Sequence, residues 1–168
     1  MYVIDTNIFI ANDNMYYCHD VFPKFWDVFE KLFNDGIIAS IDKVYNELSY
    51  GRDSDFVKQW AITHPKFFKE RDQETSLEYE NVCSWLRSNP RYDHERAEKF
   101  LMVADAYLIA YAKSKNMTLV TYEKSAKGNS PKIKIPDVCM GLNVKYVDFI
   151  GMLREINSSD EYKNKYLI

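Results

Sequence analysis

The chain has 168 residues, a length that suits one domain with a substantial core and hardly two. Hydrophobic residues make up 46% of the chain, charged residues 28% and aromatic residues 15%, a composition that excludes a disordered protein. The formal net charge of −3 excludes the strongly basic surface of many nucleic-acid-binding proteins, although it is compatible with a local basic patch.

Export and membrane signals are missing from the sequence. No apolar run approaches the ~20 residues of a membrane span, and Met1 leads into "YVID" without the basic start of a signal peptide. We therefore expect a cytoplasmic protein that has no membrane segment. The cysteines Cys18, Cys83 and Cys139 have no CxxC spacing, so we expect reduced thiols that mostly fill the core.

The first third of the chain alternates between strand and helix patterns. Val3–Ile4 predicts a short buried strand. Apolar residues at helical spacing in "VFPKFWDVFEKLFNDG" predict a helix with Pro23 near its start. "IIAS" predicts a second strand, after which Ser40 is the expected N-cap of a helix that Gly51 closes.

The rest of the chain continues the alternation. Residues 54–92 predict two or three helices with breaks before Pro65 and Pro90, and residues 93–114 predict one long helix. "TLVTY" and "VKYVDF" predict strands, and "FIGMLREI" predicts a closing helix. Together these elements indicate an α/β fold with a short, mostly parallel central sheet.

The predicted domain organisation is simple. Residues 1–158 form a single domain, residues 50–92 are a helical insertion in it, and residues 159–168 are a polar C-terminal tail. No internal repeat and no low-complexity linker divides the chain.

Acidic residues stand where the fold predicts a site. Ligands of parallel α/β sheets bind beyond the carboxyl ends of the strands, and Asp5 follows the strand "YVI" as Glu123 follows "LVTY". Asp105 is the single charge in "LMVADAYLIAYA", where a carboxylate is costly unless it is paired or metal-bound. Glu47 lies late in the predicted third helix. Asp137 is open to two interpretations, a helix N-cap or a further outer ligand.

Convergence of four carboxylates at one sheet edge predicts a metal centre. Unit charges ~4 Å apart repel by about 4 kcal/mol at an effective dielectric of ~20. Hard divalent cations relieve this repulsion, and oxygen ligands suit Mg²⁺ or Mn²⁺. One or two such ions support in-line phosphoryl displacement. Asp5 and Asp105 are predicted inner ligands, whereas Glu47 and Glu123 bind directly or through water.

Neighbouring polar residues are assigned supporting roles. We expect hydroxyl and amide groups next to the acids to orient the carboxylates by hydrogen bonds; these groups belong to Thr6, Asn7 and Thr121. We expect the basic stretch "KSAKGNSPKIK" to contact phosphates of a polyanionic substrate, and its lysines are Lys124, Lys127, Lys132 and Lys134. Further arginines that extend this track are Arg52, Arg91 and Arg96. The alternative is that the stretch is simply a solvated loop.

The stretches "YVIDTNIFI", "NEL" and "ADAYLIAYAKSKNMTLVTYEK" resemble the PIN domain family, which includes VapC-type toxins and related ribonucleases. Asp5, Glu47, Asp105 and Glu123 fall in the order of the family's four acids. The resemblance implies a three-layer α/β/α sandwich, Mg²⁺- or Mn²⁺-dependent endonuclease activity on RNA, frequent homodimers and a protein antitoxin. Asp5, Glu47 and Asp105 carry over directly as metal ligands.

This sequence also departs from the family pattern. Glu123 follows Tyr122 where the family usually has an aspartate, and "KGNSPKIKIPDVC" is longer and more basic than the usual loop. These features resemble a bacterial subgroup of PIN proteins.

The resemblance leaves alternative functions to be compared. The first function is a divalent-metal-dependent endoribonuclease that is the toxin of a toxin–antitoxin module, and the second is a catalytically inactive PIN-like binding module. A phosphatase of the haloacid-dehalogenase kind needs a second aspartate at position 7, where Asn7 stands. A dinucleotide-binding fold is disfavoured because "DTNIF" contains no glycine.

Overall fold

The computed structural model describes residues 1–127, 130–162 and 165–166, which form five β-strands and nine α-helices. Strands β1 to β5 span Tyr2–Ile4, Ile38–Ile41, Phe68–Lys69, Thr118–Val120 and Tyr146–Val147. Helices α1 to α9 span Thr6–Ala11, Pro23–Asn34, Asp42–Ser49, Phe56–Thr63, Gln73–Ser88, His94–Met102, Ala104–Ser114, Ile135–Leu142 and Phe149–Ser158. A π-helical segment continues α1, and a 3₁₀ turn precedes β3.

The strands form one parallel sheet in the order β3-β2-β1-β4-β5. Strand β1 lies at its centre, where Val3 is in register with Ala39 of β2 and Leu119 of β4. Strand order therefore runs outward from β1 in both directions, and the topological switch point lies between β1 and β4. Such a switch point opens a crevice at the carboxyl ends of the two strands, where ligands bind in α/β sheets.

Helix α7 covers one face of the sheet, across β1, β2 and β4. Its small side chains allow the helix axis to approach the strands closely. The helices α5, α6 and α8 pack on α7 from outside and bury it completely along one side. The alanines of α7 that are buried in this way are Ala104, Ala106, Ala110 and Ala112.

Aromatic side chains form the layer on the opposite face. Phe25 and Phe29 of α2 lie with their ring centroids 5.6 and 6.3 Å from Phe149 of α9. Phe9 of α1 contacts Phe29 at 5.4 Å and so joins the first helix to this layer. Right-handed crossovers place the helices that follow β1 and those that follow β4 on opposite faces. The predicted α/β/α sandwich is confirmed.

Several element predictions are wrong or incomplete. The predicted helix over 93–114 is two helices, because Val103 is extended (φ −99°, ψ 175°) and separates α6 from α7. Asp105 therefore lies in the first turn of α7, not in the middle of an apolar row. No Gly or Pro marks this break, and the Ala104 N–H instead donates to Glu47 from α3, 3.4 Å away.

Ser40 is also wrongly predicted as an N-cap. It lies inside β2, where its hydroxyl donates to the Ile4 carbonyl of β1 at 2.6 Å. Ile41 takes the capping position of α3 without a side-chain cap. Helix α1, the bounds of α8 and the two-residue strand β3 were not predicted, because these short segments have no long periodic pattern.

The C-terminal segment 159–168 contributes to packing. Tyr166 is only 1% exposed, and its hydroxyl donates to the Asp35 carboxylate that follows α2. Residues 163–164 and 167–168 of the predicted tail, and residues 128–129 of the basic stretch, lie outside the described residues. Among the helices that the structure describes, none combines the length and apolar character that crossing a bilayer demands.

The close approach of α8 to α5 yields a stability prediction. A Cβ at Gly141 would lie 2.0 Å from the Trp85 ring, so Gly141→Ala forces α8 away from α5. We expect a loss of about 1–3 kcal/mol in the free energy of unfolding, measured by urea denaturation. Met140→Ala, at an exposed position of the same helix, is the control and should change stability by less than about 0.5 kcal/mol. Equal effects of the two variants would contradict this packing.

Candidate functional site

Asp5 lies at the mouth of the crevice between β1 and β4. Its backbone N–H donates to the Val120 carbonyl at 3.1 Å and so extends the β1–β4 ladder by one bond. The chain then turns directly into α1 at Thr6, which leaves the Asp5 side chain at the carboxyl end of the central strand. Only 4% of this residue is exposed. An acidic side chain is thus buried at the place where the topology creates a binding crevice.

Thr121 connects the polar groups around Asp5. Its hydroxyl donates to Asp5 Oδ2 at 2.7 Å and accepts from the Asn7 amide at 2.9 Å and from the Glu123 N–H at 3.1 Å. A threonine hydroxyl has one donor and two acceptor sites, and all three are used here. The Asn7 carbonyl oxygen accepts the Tyr122 N–H at 3.0 Å. The residues after β1 and β4 therefore hold each other in a fixed arrangement.

Glu47 reaches the same edge of the sheet from α3. Its carboxylate accepts a hydrogen bond from the Thr6 hydroxyl at 2.5 Å and a longer one from the Ala104 N–H at 3.4 Å. Thr6 begins α1 and Ala104 begins α7, so one carboxylate bridges two helix N-termini. Helix N-termini carry partial positive charge and stabilise such a group.

Burial and mutual repulsion raise the pKa of two of the acids. Burial raises the pKa of Asp5 to about 7, the Thr121 hydrogen bond opposes this, and the charges of Asp105, Glu123 and Glu47 add to it. Burial also raises the pKa of Asp105 to about 6, helped by Glu123 and Glu47 and opposed by Lys134. The four predicted acids therefore act on one another electrostatically.

The carboxylate of Glu123 is held by two groups at the start of α8. One carboxylate oxygen contacts the Lys134 ammonium, and the other accepts the Ile135 N–H at 2.9 Å. Ile135 is the first residue of α8, so Glu123 ties the end of β4 to the start of this helix. Lys134, which was predicted to contact substrate phosphates, has its ammonium against Glu123, while 37% of its side chain stays exposed.

Asp137 anchors the basic stretch. It is 6% exposed, and it accepts a hydrogen bond from the Ser125 hydroxyl and one of 3.0 Å from the Ala126 N–H. The N-cap interpretation is wrong, because Lys134 holds the capping position and Asp137 lies inside the first turn of α8. The Arg91 guanidinium approaches Asp137 at 3.8 Å and donates to the Ser130 carbonyl at 3.2 Å.

The remaining basic residues have separate positions. Lys127 and Lys132 are exposed, and Lys124 is 77% exposed at its side chain and lies 3.4 Å from Asp148. Arg96 forms an ion pair with Asp93 at the start of α6. Arg52 lines a cleft of about 420 Å³ beside the acids, together with Ile10, Asp13, Asn14, Glu47, Leu48, Gly51, Asp55 and Val57.

The carboxylate set can be compared with the needs of a metal ion. Within residues 1–127, 130–162 and 165–166, no group of three or more Asp, Glu, His or Cys side chains is arranged so that it could hold a metal ion. The chemistry of the donors nevertheless fits a hard cation, since all are oxygen atoms. The repulsion that raises the pKa of Asp5 and Asp105 is also what a divalent cation would relieve. Asp5, Asp105 and Glu47 are the residues that would hold it, whereas at Glu123 the Lys134 ammonium already supplies a positive charge.

Sequence reasoning missed two contributors to this arrangement. The Ala104 N–H is a backbone donor, and it becomes available to Glu47 only because the helix breaks at Val103. The inward position of Lys134 had a local signal, since it directly precedes the apolar run "IPDVC" that begins α8.

A family model described as "Domain of unknown function (DUF4411)" matches residues 2–159. The chain belongs to the DUF4411 family. The match takes in all four acids and the whole basic stretch of this DUF4411 protein. No curated protein matches the sequence.

A solved structure shows the same fold. It is titled "Crystal structure of VapBC2 from Rickettsia felis bound to a DNA fragment from their promoter", and one of its chains is 15% identical to this DUF4411 chain with a TM-score of 0.50. The superposition covers 88% of this chain and 97% of that chain. The likeness agrees with the predicted PIN-like sandwich, and at this identity it is a statement about fold alone.

The raised pKa values predict how stability depends on pH without metal. In chelator, folded Asp5 and Asp105 keep their protons up to pH about 7 and 6, whereas the unfolded chain loses them near 3.8. The folded state therefore binds more protons in this window, and its stability falls as pH rises from about 4 to 7. The titration of Asp5 alone lowers the free energy of unfolding by at most roughly 4 kcal/mol over this pH range, at about 1.4 kcal/mol per pH unit.

Urea denaturation in chelator from pH 4.5 to 8 measures this dependence. Asp5→Asn should reduce the dependence, most of all above pH 6, because the amide has no charge to bury and only Asp105 still titrates. Asp27→Asn, an exposed change on α2, is the control and should keep the wild-type slope. If wild type and Asp5→Asn have the same slope, then Asp5 does not titrate as its environment predicts.

Proposed function

We propose that this protein is a divalent-metal-dependent endoribonuclease that hydrolyses RNA phosphodiester bonds. One observation carries the proposal: a buried aspartate at the β1–β4 switch point shares its electrostatic environment with Asp105, Glu47 and Glu123. Burying several acids together is unfavourable in itself, so a site of this kind is expected where a cation is used. The proposed ions are Mg²⁺ or Mn²⁺.

The residues would divide the work as follows. Asp5, Asp105 and Glu47 would hold the ion, which when bound supplies charge neutralisation and activation of water. Thr121 and Asn7 would keep the Asp5 carboxylate in one orientation, and Thr6 would do the same for Glu47. The exposed lysines of the basic stretch would contact phosphates of the RNA beside the acids.

We further propose that the protein is the toxin of a toxin–antitoxin module. Its fold is similar to that of a chain in a VapBC2 structure, and that assembly is bound to a DNA fragment from its promoter. By analogy, a protein antitoxin and a homodimer are the proposed partners, and the cytoplasm is the proposed location. The longer basic stretch would place the protein in a separate PIN-like subgroup.

The alternative function is a catalytically inactive binding module of the same fold. Its supporting observation is the ion pair between Glu123 and Lys134, which occupies one of the four acids. The two functions differ in metal binding. Calorimetry that detects no binding of Mn²⁺ would favour the inactive module.

Incubation of purified protein with RNA tests the nuclease proposal. We expect cleavage only with Mg²⁺ or Mn²⁺, and we expect Asp5→Asn and Asp105→Asn each to lower the rate at least about 100-fold, beyond the 10- to 100-fold typical of supporting residues. Each substitution removes a charge while keeping the side-chain shape. Asp27→Asn is the matched control on α2 and should cleave like wild type. Equal cleavage by all variants would refute the proposal.

A second experiment tests the basic stretch. The triple variant Lys124→Gln, Lys127→Gln and Lys132→Gln, built on Asp5→Asn to prevent cleavage, should weaken binding of single-stranded RNA. The slope of log affinity against log salt should decrease by about 0.7 for each RNA phosphate that the variant no longer neutralises. The control removes Lys66 and Lys145, which precede β3 and β5 at the opposite edge of the sheet. An unchanged slope in the triple variant would mean that the stretch is only a solvated loop.

A further inference from the structure

Lys134 is placed against the acids by the helix that follows it. It occupies the N-cap position of α8 with an extended backbone (φ −128°, ψ 145°). Its ammonium contacts one oxygen of Glu123, while the other oxygen accepts the Ile135 N–H. Both oxygens of this carboxylate thus bind adjacent groups of one short segment. Each oxygen keeps a further acceptor site, but the Lys134 ammonium already places a positive charge where a second cation beside Glu123 would lie.

The charge of Lys134 also acts on a second acid. It opposes the burial and the repulsion that raise the pKa of Asp105. The ammonium that contacts Glu123 thus also offsets part of the repulsion that Asp105 experiences. Attraction of this kind is strong at a partly buried position, because water screens it less.

The segment that carries Lys134 is fastened on both sides. Asp137 binds Ser125 and Ala126 near its beginning, and Arg91 donates to the Ser130 carbonyl further along. At its end, Ile135 starts α8, which packs on α5 and α7. These contacts hold the backbone around Lys134 in position next to the acids. Lys124 differs, because its side chain is mostly exposed.

We infer that Lys134 is a fixed cation of the carboxylate site and takes the place of a second divalent ion beside Glu123. The site then accepts one divalent ion, held by Asp5, Asp105 and Glu47. The number of ions rests on the proposed function, whereas the role of Lys134 as a counter-charge does not. Lys134 is a positioning residue that determines how many divalent ions the site binds.

The first test counts bound ions. Wild type is titrated with Mn²⁺, and binding is measured by calorimetry and by the electron paramagnetic resonance signal of free Mn²⁺. We expect one bound ion per chain. Lys134→Gln should bind a second ion, or bind the first about tenfold more tightly, because a carboxylate is released. Lys124→Gln removes the same charge from the same stretch and should keep wild-type binding. Two ions in wild type, or identical binding in wild type and Lys134→Gln, would overturn the inference.

The second test needs neither metal nor activity. In chelator, Lys134→Gln should lower Tm, since Glu123 and Asp105 lose their counter-charge. In the Glu123→Gln background the same substitution should lower Tm less, because the contact between Lys134 and Glu123 is already weakened there, and the difference between the two decreases measures the coupling. Equal decreases in both backgrounds would overturn the role of Lys134.

The two tests also separate the inference from the proposed function. If wild type binds no Mn²⁺ but the coupling is present, the metal-dependent nuclease proposal fails and Lys134 remains the counter-charge. If wild type binds two ions and cleaves RNA, the nuclease proposal stands and the inference about Lys134 fails.

Discussion

Repulsion among carboxylates at the β1–β4 crevice is the constraint around which the rest of the site is arranged. Asp5 is almost completely buried there, and Asp105, Glu47 and Glu123 add to the field that it experiences. Partial positive charges at helix N-termini offset this repulsion. Helices α1, α7 and α8 all begin at this edge, Glu47 accepts the first N–H of α7, and Glu123 accepts the first N–H of α8. Helix N-termini and hydroxyl donors thus stabilise acids that the topology brings together.

The lysines of the basic stretch after β4 lie in two different environments. Its last lysine, Lys134, contacts the carboxylate of Glu123. Lys127 and Lys132 face the solvent, where a polyanion can reach them. An acidic pocket can therefore lie beside a cationic surface although the chain as a whole carries a net charge of −3. Asp137 links the two by fastening the stretch to α8.

Much of this site could be predicted from local sequence. Asp5 and Glu123 follow apolar strands, and strand ends are set by short patterns that a sequence displays directly. Thr121 lies in the same strand-end segment, and it does contact Asp5 and Asn7. The break in the predicted helix over 93–114 could not be found from local sequence. No Gly or Pro marks the break at Val103, and the next N–H, that of Ala104, bonds to Glu47 of another helix. The prediction of Ser40 as a cap fails for a similar reason, because its partner, the Ile4 carbonyl, belongs to another strand.

The sequence by itself determined the parallel α/β class, the order of the acids and the places of Asp5 and Glu123 after strands, because these follow from hydrophobic periodicity within a few residues, whereas the place of Asp105 at the start of α7 was not predicted. Only the tertiary structure decided which charges meet. The contacts of Glu47 with Ala104 and of Glu123 with Lys134 join separate elements, and their formation depends on how helices pack on the sheet. A local sequence pattern indicates at which end of a strand or helix an acidic residue lies. The burial of its carboxylate and the nearest opposite charge set its pKa, and both exist only once the chain has folded.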